Sequence, residues 1–276
     1  MVYVYRVAMM HALALSAALA QSACAVDASR SGEPRATAEQ VPLLVDVPAG
    51  TVIDGFASGR LRETAEVSGF RITQHPITRE QFEQCVASGV CKVPEKPACQ
   101  LTPELAYPGL KTDEPNSPAL CVGRQNAESY CRWVGGTLPT LRQWLYAARG
   151  TEPTRYAWGN EVGHCDHHPR FEAIEGEGEE DELVRTELCA ARDGNKLSVA
   201  KHAAGASPFG VQDVLIAHAE LLSLDAEALV SACDPGFAGC MVTSSEPGVI
   251  DSARALEHGQ DSADLPYGFR CALEEN

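Results

Sequence analysis

Basic residues are scarce in this sequence: 22 Lys and Arg stand against 38 Asp and Glu, a formal net charge of −16 over 276 residues. A nucleic-acid partner wants a basic face to meet its phosphates, so the balance argues against that class. Long apolar runs are also missing. The Ala-rich stretch from Val7 to Ala20 is too short, and wrongly flanked, for a stable membrane span. No internal repeat is present. Nor is there a Ser-His-Asp pattern, a phosphate-cradling glycine loop, or a pair of carboxylates at a catalytic spacing. What remains is an ordinary globular composition, long enough for one sizeable core or two small ones.

Residues 1–26 read as an export signal, with Arg6 ahead of the apolar stretch. Ala18-Leu19-Ala20 suits ordinary signal peptidase. Ser22-Ala23-Cys24 resembles a bacterial lipobox, although Gln21 stands where Leu is usual; lipidation of Cys24 is the favoured reading. The eleven cysteines become ten without Cys24, an even number suited to disulfides in an oxidising compartment. That parity supports export under either processing route. The expected location is the bacterial cell envelope, periplasmic or lipid-anchored at the outer membrane. Residues 27–42 have no apolar period and are expected to form a flexible tether.

Local signals then become sharp. Leu43 to Val47 is an expected strand, and Val67 to Thr73 a second. Thr78 and Gln81 make a capping box for a helix that Gly89 closes, with Ile77 and Phe82 as its hydrophobic staple. Asn126 is the expected cap of a second helix, with Ala127, Tyr130, Cys131 and Val134 on one face and Gly135-Gly136 at its end. Pro139 introduces a third, in which Thr140 and Gln143 repeat the capping box. Leu141, Trp144, Leu145 and Ala148 supply its apolar stripe before Gly150. Cys91 to Pro118 reads as a loop held by disulfides. Residues 171–187 carry eight acidic side chains and read as a solvated insertion, since their spacing does not fit an EF-hand.

Five ordered blocks carry a resemblance. They are the strand ending in VPAGT, FRITQHPITREQF, YCRWVGGTLPTLRQWLYAARG with YAWGN, SPFGVQD, and the terminal YGFRCAL. Together they resemble the formylglycine-generating enzyme (sulfatase-modifying factor) family over residues 43–273. The resemblance implies an α+β fold of the modified C-type-lectin-like kind over residues 43–276, with small antiparallel sheets, two main helices and much irregular loop. Phe269, Cys271 and Leu273 alternate, as expected of a half-buried closing strand.

Active members of that family oxidise a sulfatase cysteine to formylglycine with two thiols, spaced C-x4-C, that bind copper(I). Aligned back from the terminal strand, those thiols fall near Thr243 and Gly248, neither a cysteine. The nearest pair, Cys233 and Cys240, reads as a disulfide closing a Pro-Gly loop, with a redox or copper pair as the alternative. The family's calcium-binding Gly-Asn-Val-x-Glu segment is reduced to Glu220, with Ala217 in place of Asn; a lone Glu on a helix is more often solvated or salt-bridged. His164, Asp166, His167 and His168 cluster without a second ligand group and read as an exposed loop. Vertebrate-type members join the cysteines equivalent to Cys131 and Cys271, so that disulfide is implied. Cys165–Cys189 is a further expected pair, as is Cys85 with Cys91 or Cys121.

The reading is therefore an exported family member, non-catalytic or repurposed, binding a protein or glycan ligand through a lectin-like scaffold. An active copper oxidase using Cys233 and Cys240 is the alternative. The family's iron-dependent sulfoxide synthases need an added helical domain, for which this chain has no room.

Overall fold

Helix starts and stops follow local chemistry in two of the three α-helices among the described residues of the protein, whose structure is a computed structural model. The structure describes residues 34–54, 63–93, 111–161, 163–168, 194, 196–216, 219–224, 239–243, 250, 252–256 and 267–275. The signal segment with Cys24, the insertion 171–187, Cys189 and Cys233 lie outside them.

Helix α1, Arg79–Ala87, begins with the expected box: Thr78 Oγ1 accepts from the Gln81 N–H, and Gln81 Oε1 accepts from the Thr78 N–H. Gly89 follows at φ 80°, where a side chain would be strained. Helix α3, Leu141–Arg149, repeats the device with Thr140 and Gln143. Every α3 residue except Arg142 and Gln143 is buried, so the helix is enclosed well beyond its four-residue stripe.

Helix α2, Arg124–Trp133, departs from expectation. It starts earlier, at a Gly123 cap with no side-chain bond. The Asn126 side chain instead accepts from the Lys92 N–H at 3.0 Å and donates to the Lys92 carbonyl at 3.2 Å. A neighbouring loop supplies two bonds where capping would supply one.

The strands are β1 (Leu44–Val47), β2 (Gly50–Asp54), β3 (Glu63–Val67), β4 (Phe70–Thr73), β5 (Ala219–Leu222), β6 (Gly239–Thr243), β7 (Ser252–Leu256), β8 (Gly268–Phe269) and β9 (Ala272–Glu274). Among the described residues these form three sheets, ordered β1-β4-β9, β2-β3 and β7-β6-β5-β8, all antiparallel except the β5–β8 pair.

Three strand expectations need correcting. Val67 to Thr73 is two strands: Val67 pairs with Gly50, whereas Phe70 pairs with Val47 in another sheet. Gly69 lies at the break, and a Cβ there would collide with the Glu275 carboxylate. The segment around Glu220 is strand β5, not helix, because Leu221 is claimed on both sides by Met241 and Phe269. The closing strand is not half-buried. Residues 267–273 are all buried, since β8 pairs with β5 and β9 with β4. The chain changes sheets at Arg270-Cys271, and both flanks of that crossing are covered.

Two apolar clusters form the core. Helix α3 packs with β2, β3 and β4 in the first. In the second, α1 and α2 enclose Phe269, with ring centroids 6.4 Å from Phe82 and 5.6 Å from Tyr130. Burial pushes the Tyr130 phenol well above its usual range.

The Cys131–Cys271 disulfide joins α2 to the sheet crossing, with Cα atoms 5.3 Å apart. Cys85 bonds Cys91, which resolves that pair of alternatives. Residues 34–42 are not a free tether. The Ala36 N–H donates to the Trp133 carbonyl at 3.0 Å, and Ala36 and Val41 pack on the second cluster.

Candidate functional site

At the crossing between sheets, Arg270 turns its guanidinium inward. Its Nε donates to Glu220 Oε2 at 2.6 Å and its Nη2 to Oε1 at 2.9 Å. The Trp144 indole N–H from α3 also reaches Oε2, at 2.8 Å, and the Leu215 N–H reaches Oε1, at 3.1 Å. Four donors thus fill one carboxylate that sees no solvent. The remaining guanidinium hydrogens reach the carbonyls of Thr73, Gln74, Gln212 and Asp213. Bidentate geometry with every lone pair engaged is what allows a buried ion pair to persist.

That arrangement corrects the expectation for Glu220. Of the two alternatives the salt-bridged one holds, but the residue is buried and lies on a strand, not a helix, and its oxygens are committed to Arg270, Trp144 and Leu215. A calcium ion needs several free oxygen ligands, and this carboxylate has none to give. The site does not fit calcium through Glu220.

A second polar centre lies one residue past Gln212. The Asp213 side chain is wholly buried, with His75 Nδ1 at 2.6 Å and the Ala200 N–H at 2.8 Å from its Oδ2. His202 Nδ1 faces Oδ1 at 3.9 Å. Burial works to raise this carboxyl, but the His202, His75 and Ala200 contacts outweigh it and hold the group far below the usual carboxylate range. An ionised carboxylate only accepts, so His75 Nδ1 carries the proton between them. Asp213 and Ala200 both sit at positive φ, 54° and 63°. Sequence reading passed over all three side chains. Asp213 stood inside the matched SPFGVQD block, but nothing in one dimension joins it to His75 or His202.

The cysteines are placed as follows. Cys240 lies in β6, fully buried and disulfide-bonded, opposite Leu222. Thr243, at one position counted to the family's thiols, ends the same strand, and a hydroxyl is not a soft copper(I) ligand. Cys121 and Cys165 are disulfide-bonded too. With Cys240 bonded and Thr243 in place of a thiol, these residues do not fit a copper(I) pair.

The HCDHH stretch is not a uniformly exposed loop. His168 is buried and its Nε2–H donates to the Leu215 carbonyl at 3.2 Å, while the His164 N–H donates to His167 Nδ1 at 3.1 Å. Among the described residues no group of three or more His, Cys, Asp or Glu side chains could hold a metal ion. Nearby, a groove of about 560 Å³ opens at the C-terminal end of α3, lined by Tyr146, Arg149, Trp158, Pro208 and Phe209 among others. Of its lining residues, Trp158 stacks on Tyr156 behind it at 4.6 Å and Phe209 meets Tyr146 edge-on at 5.0 Å, so much of the wall is aromatic.

Residues 30–274 match the family profile described as Sulfatase-modifying factor enzyme 1-like domain. The formylglycine-generating enzyme of Mycobacterium tuberculosis (strain ATCC 25618 / H37Rv) is 28% identical over a stretch covering 43% of this chain and 55% of that protein. That of Streptomyces coelicolor is 48% identical over 52 residues, 18% of this chain and 17% of the relative. The chain thus spans about half the length of the first and much less of the second. Among solved structures, CarF aligns over 86% of this chain and 100% of its own, at 13% identity and a TM-score of 0.48. PvdO from Pseudomonas aeruginosa aligns over 86% and 96%, at 16% identity and a TM-score of 0.45. With the profile running almost end to end and an α+β fold, three α-helices and small sheets among the described residues, beneath it, the chain belongs to the sulfatase-modifying factor family.

Proposed function

We propose that the protein is an exported family member whose scaffold binds a protein or glycan ligand and does not generate formylglycine. One observation carries this reading. At the family's thiol region the described cysteine, Cys240, is fully buried in a disulfide. Thiolates, not disulfides, are the ligands and nucleophiles of such chemistry. The groove at the end of α3 supports a binding role, because it is concave and sets aromatic side chains beside the polar groups of Arg149, Glu152 and Ser207. Export is supported by the disulfides Cys85–Cys91 and Cys131–Cys271, which persist in oxidising compartments. Cys24 is the expected lipid anchor.

The test is direct. The protein, reduced and supplied with copper, is incubated with a Cys-x-Pro-x-Arg peptide, and mass spectrometry looks for conversion of the cysteine to the aldehyde. No conversion is expected. Conversion that Cys240→Ser abolishes would overturn the reading in favour of an oxidase that uses Cys233 and Cys240.

A further inference from the structure

The turn that holds His164 to His168 touches two stretches of the lining of the groove at the end of α3. The His167 ring packs on Trp158, with centroids 5.1 Å apart and planes tilted by 47°. Gly205 lies so close to the His167 carbonyl that a Cβ there would collide with it, and residues 206–209 run on from Gly205 into the groove lining. The backbone of the turn is anchored. The His167 N–H donates to the His164 carbonyl at 2.8 Å, Cys165 is disulfide-bonded, and buried His168 donates to the Leu215 carbonyl. The His167 side chain is half-buried and is the part able to move.

One hydrogen bond fixes the proton on that side chain. The His164 N–H donates to His167 Nδ1 at 3.1 Å, so Nδ1 offers its lone pair and the neutral ring carries its hydrogen on Nε2. A second proton turns Nδ1 into a donor, and two N–H groups then face each other. The bond is lost. The charged ring is drawn instead to Trp158, since a cation within about 6 Å of an indole centroid is attracted to its face. Imidazole is the side chain that ordinarily changes charge between pH 5 and 8.

We propose that His167 is a pH switch on the groove. The neutral ring holds Trp158 and residues 206–209 in the binding arrangement; the protonated ring leaves its bond, turns to Trp158 and loosens that lining. The switch rests on the reading of the groove as a binding site, and it makes ligand held at neutral pH and released on acidification. Charges around the ring act in both directions. His164, 5.9 Å away ring to ring, opposes a second positive charge, while Asp166 in the same turn and Glu161, whose carbonyl accepts from the Trp158 indole, favour one. Arg155 lies over the Tyr156 ring, and His202, ahead of the 203–205 turn, faces Asp213.

The experiment follows Trp158 emission from pH 8 to pH 5.5 in the full chain without ligand, above the range in which Asp213 takes up its proton. The other tryptophans, Trp133 and Trp144, are buried in the core, and Trp158→Phe isolates the signal by difference. Expected is one reversible loss of emission, with a parallel rise in quenching by acrylamide, a neutral probe of access to the groove. His167→Gln, whose side-chain oxygen still accepts from the His164 N–H, should stay at its pH 8 level throughout. His164→Ala should keep the step, because the donor is backbone. A wild type without the step, or a folded His167→Gln that retains it, would overturn the proposal. Should the variants fail to fold, nitrogen-15 spectra of the wild-type histidines decide: a neutral His167 with its proton on Nδ1 would sink the switch. No ligand enters the measurement, so its failure leaves the groove's binding role standing. A groove that shows the step but retains no glycan or protein supports the switch and counts against that role alone.

Discussion

Glu220 and Arg270 meet through two hydrogen bonds, 2.6 Å and 2.9 Å, with side chains 0% and 1% exposed. The pair sits where the last segment leaves one sheet for another, and the indole of Trp144 closes it from α3. Removing one partner leaves a charge buried without compensation, which typically costs about 3–5 kcal/mol. Glu220→Gln and Arg270→Met should each lose about that much in urea titrations. The double replacement Glu220→Gln/Arg270→Met should lose clearly less than the sum of the two single replacements. An additive result would mean that the two side chains do not act as a unit.

The Cys131–Cys271 disulfide spans 140 residues of sequence. In the chain-entropy account a loop of that length is worth about 5 kcal/mol. Cys131→Ala/Cys271→Ala should lower the denaturation midpoint by several kcal/mol equivalents, more than Cys85→Ala/Cys91→Ala, whose loop spans 6 residues. Equal losses would place the stabilisation in local packing.

Asp213 sets an acid limit. Its carboxyl titrates far below the usual range in the folded protein and near 3.9 when unfolded, so below about pH 5 the unfolded chain binds the extra proton. Its contribution is fully present above that unfolded value and drains away as pH falls towards the native one. Asp213→Asn should therefore be less stable than wild type at pH 7, with the difference shrinking steadily on acidification. A gap that stays constant from pH 6 to pH 2 would exclude this linkage.

The capping boxes of α1 and α3 have the same chemistry in different surroundings. Thr78→Ala and Thr140→Ala should each cost about 1 kcal/mol in thermal or urea unfolding. Asn126→Ala tests another role: with no capping bond to lose, its effect should appear as faster amide exchange at Lys92.

Local rules wrote much of this protein in one dimension. Thr78 with Gln81, and Thr140 with Gln143, specify helix starts because each bond spans three residues. The Leu141, Trp144, Leu145 and Ala148 stripe specifies a core-facing side by period alone. The same rules misplaced the start of α2, since Asn126 bonds a residue 34 positions away. They also merged β3 with β4 and read β5 as helix. A run of four buried residues, AELL, takes its identity from Met241 and Phe269 across the sheet and not from its own period.

The polar centres needed the folded chain. Glu220 stood out in the sequence, but its partner lies 50 residues away, and Asp213 meets His75 across 138. Sequence by itself determined the starts of α1 and α3, the apolar faces and the family, because those depend on neighbours in the chain. Only the tertiary structure decided that Glu220 is a buried ion-pair partner, that Cys240 is bonded and enclosed, and that Asp213 faces two histidines. Those properties depend on which distant groups share one small volume that water does not enter.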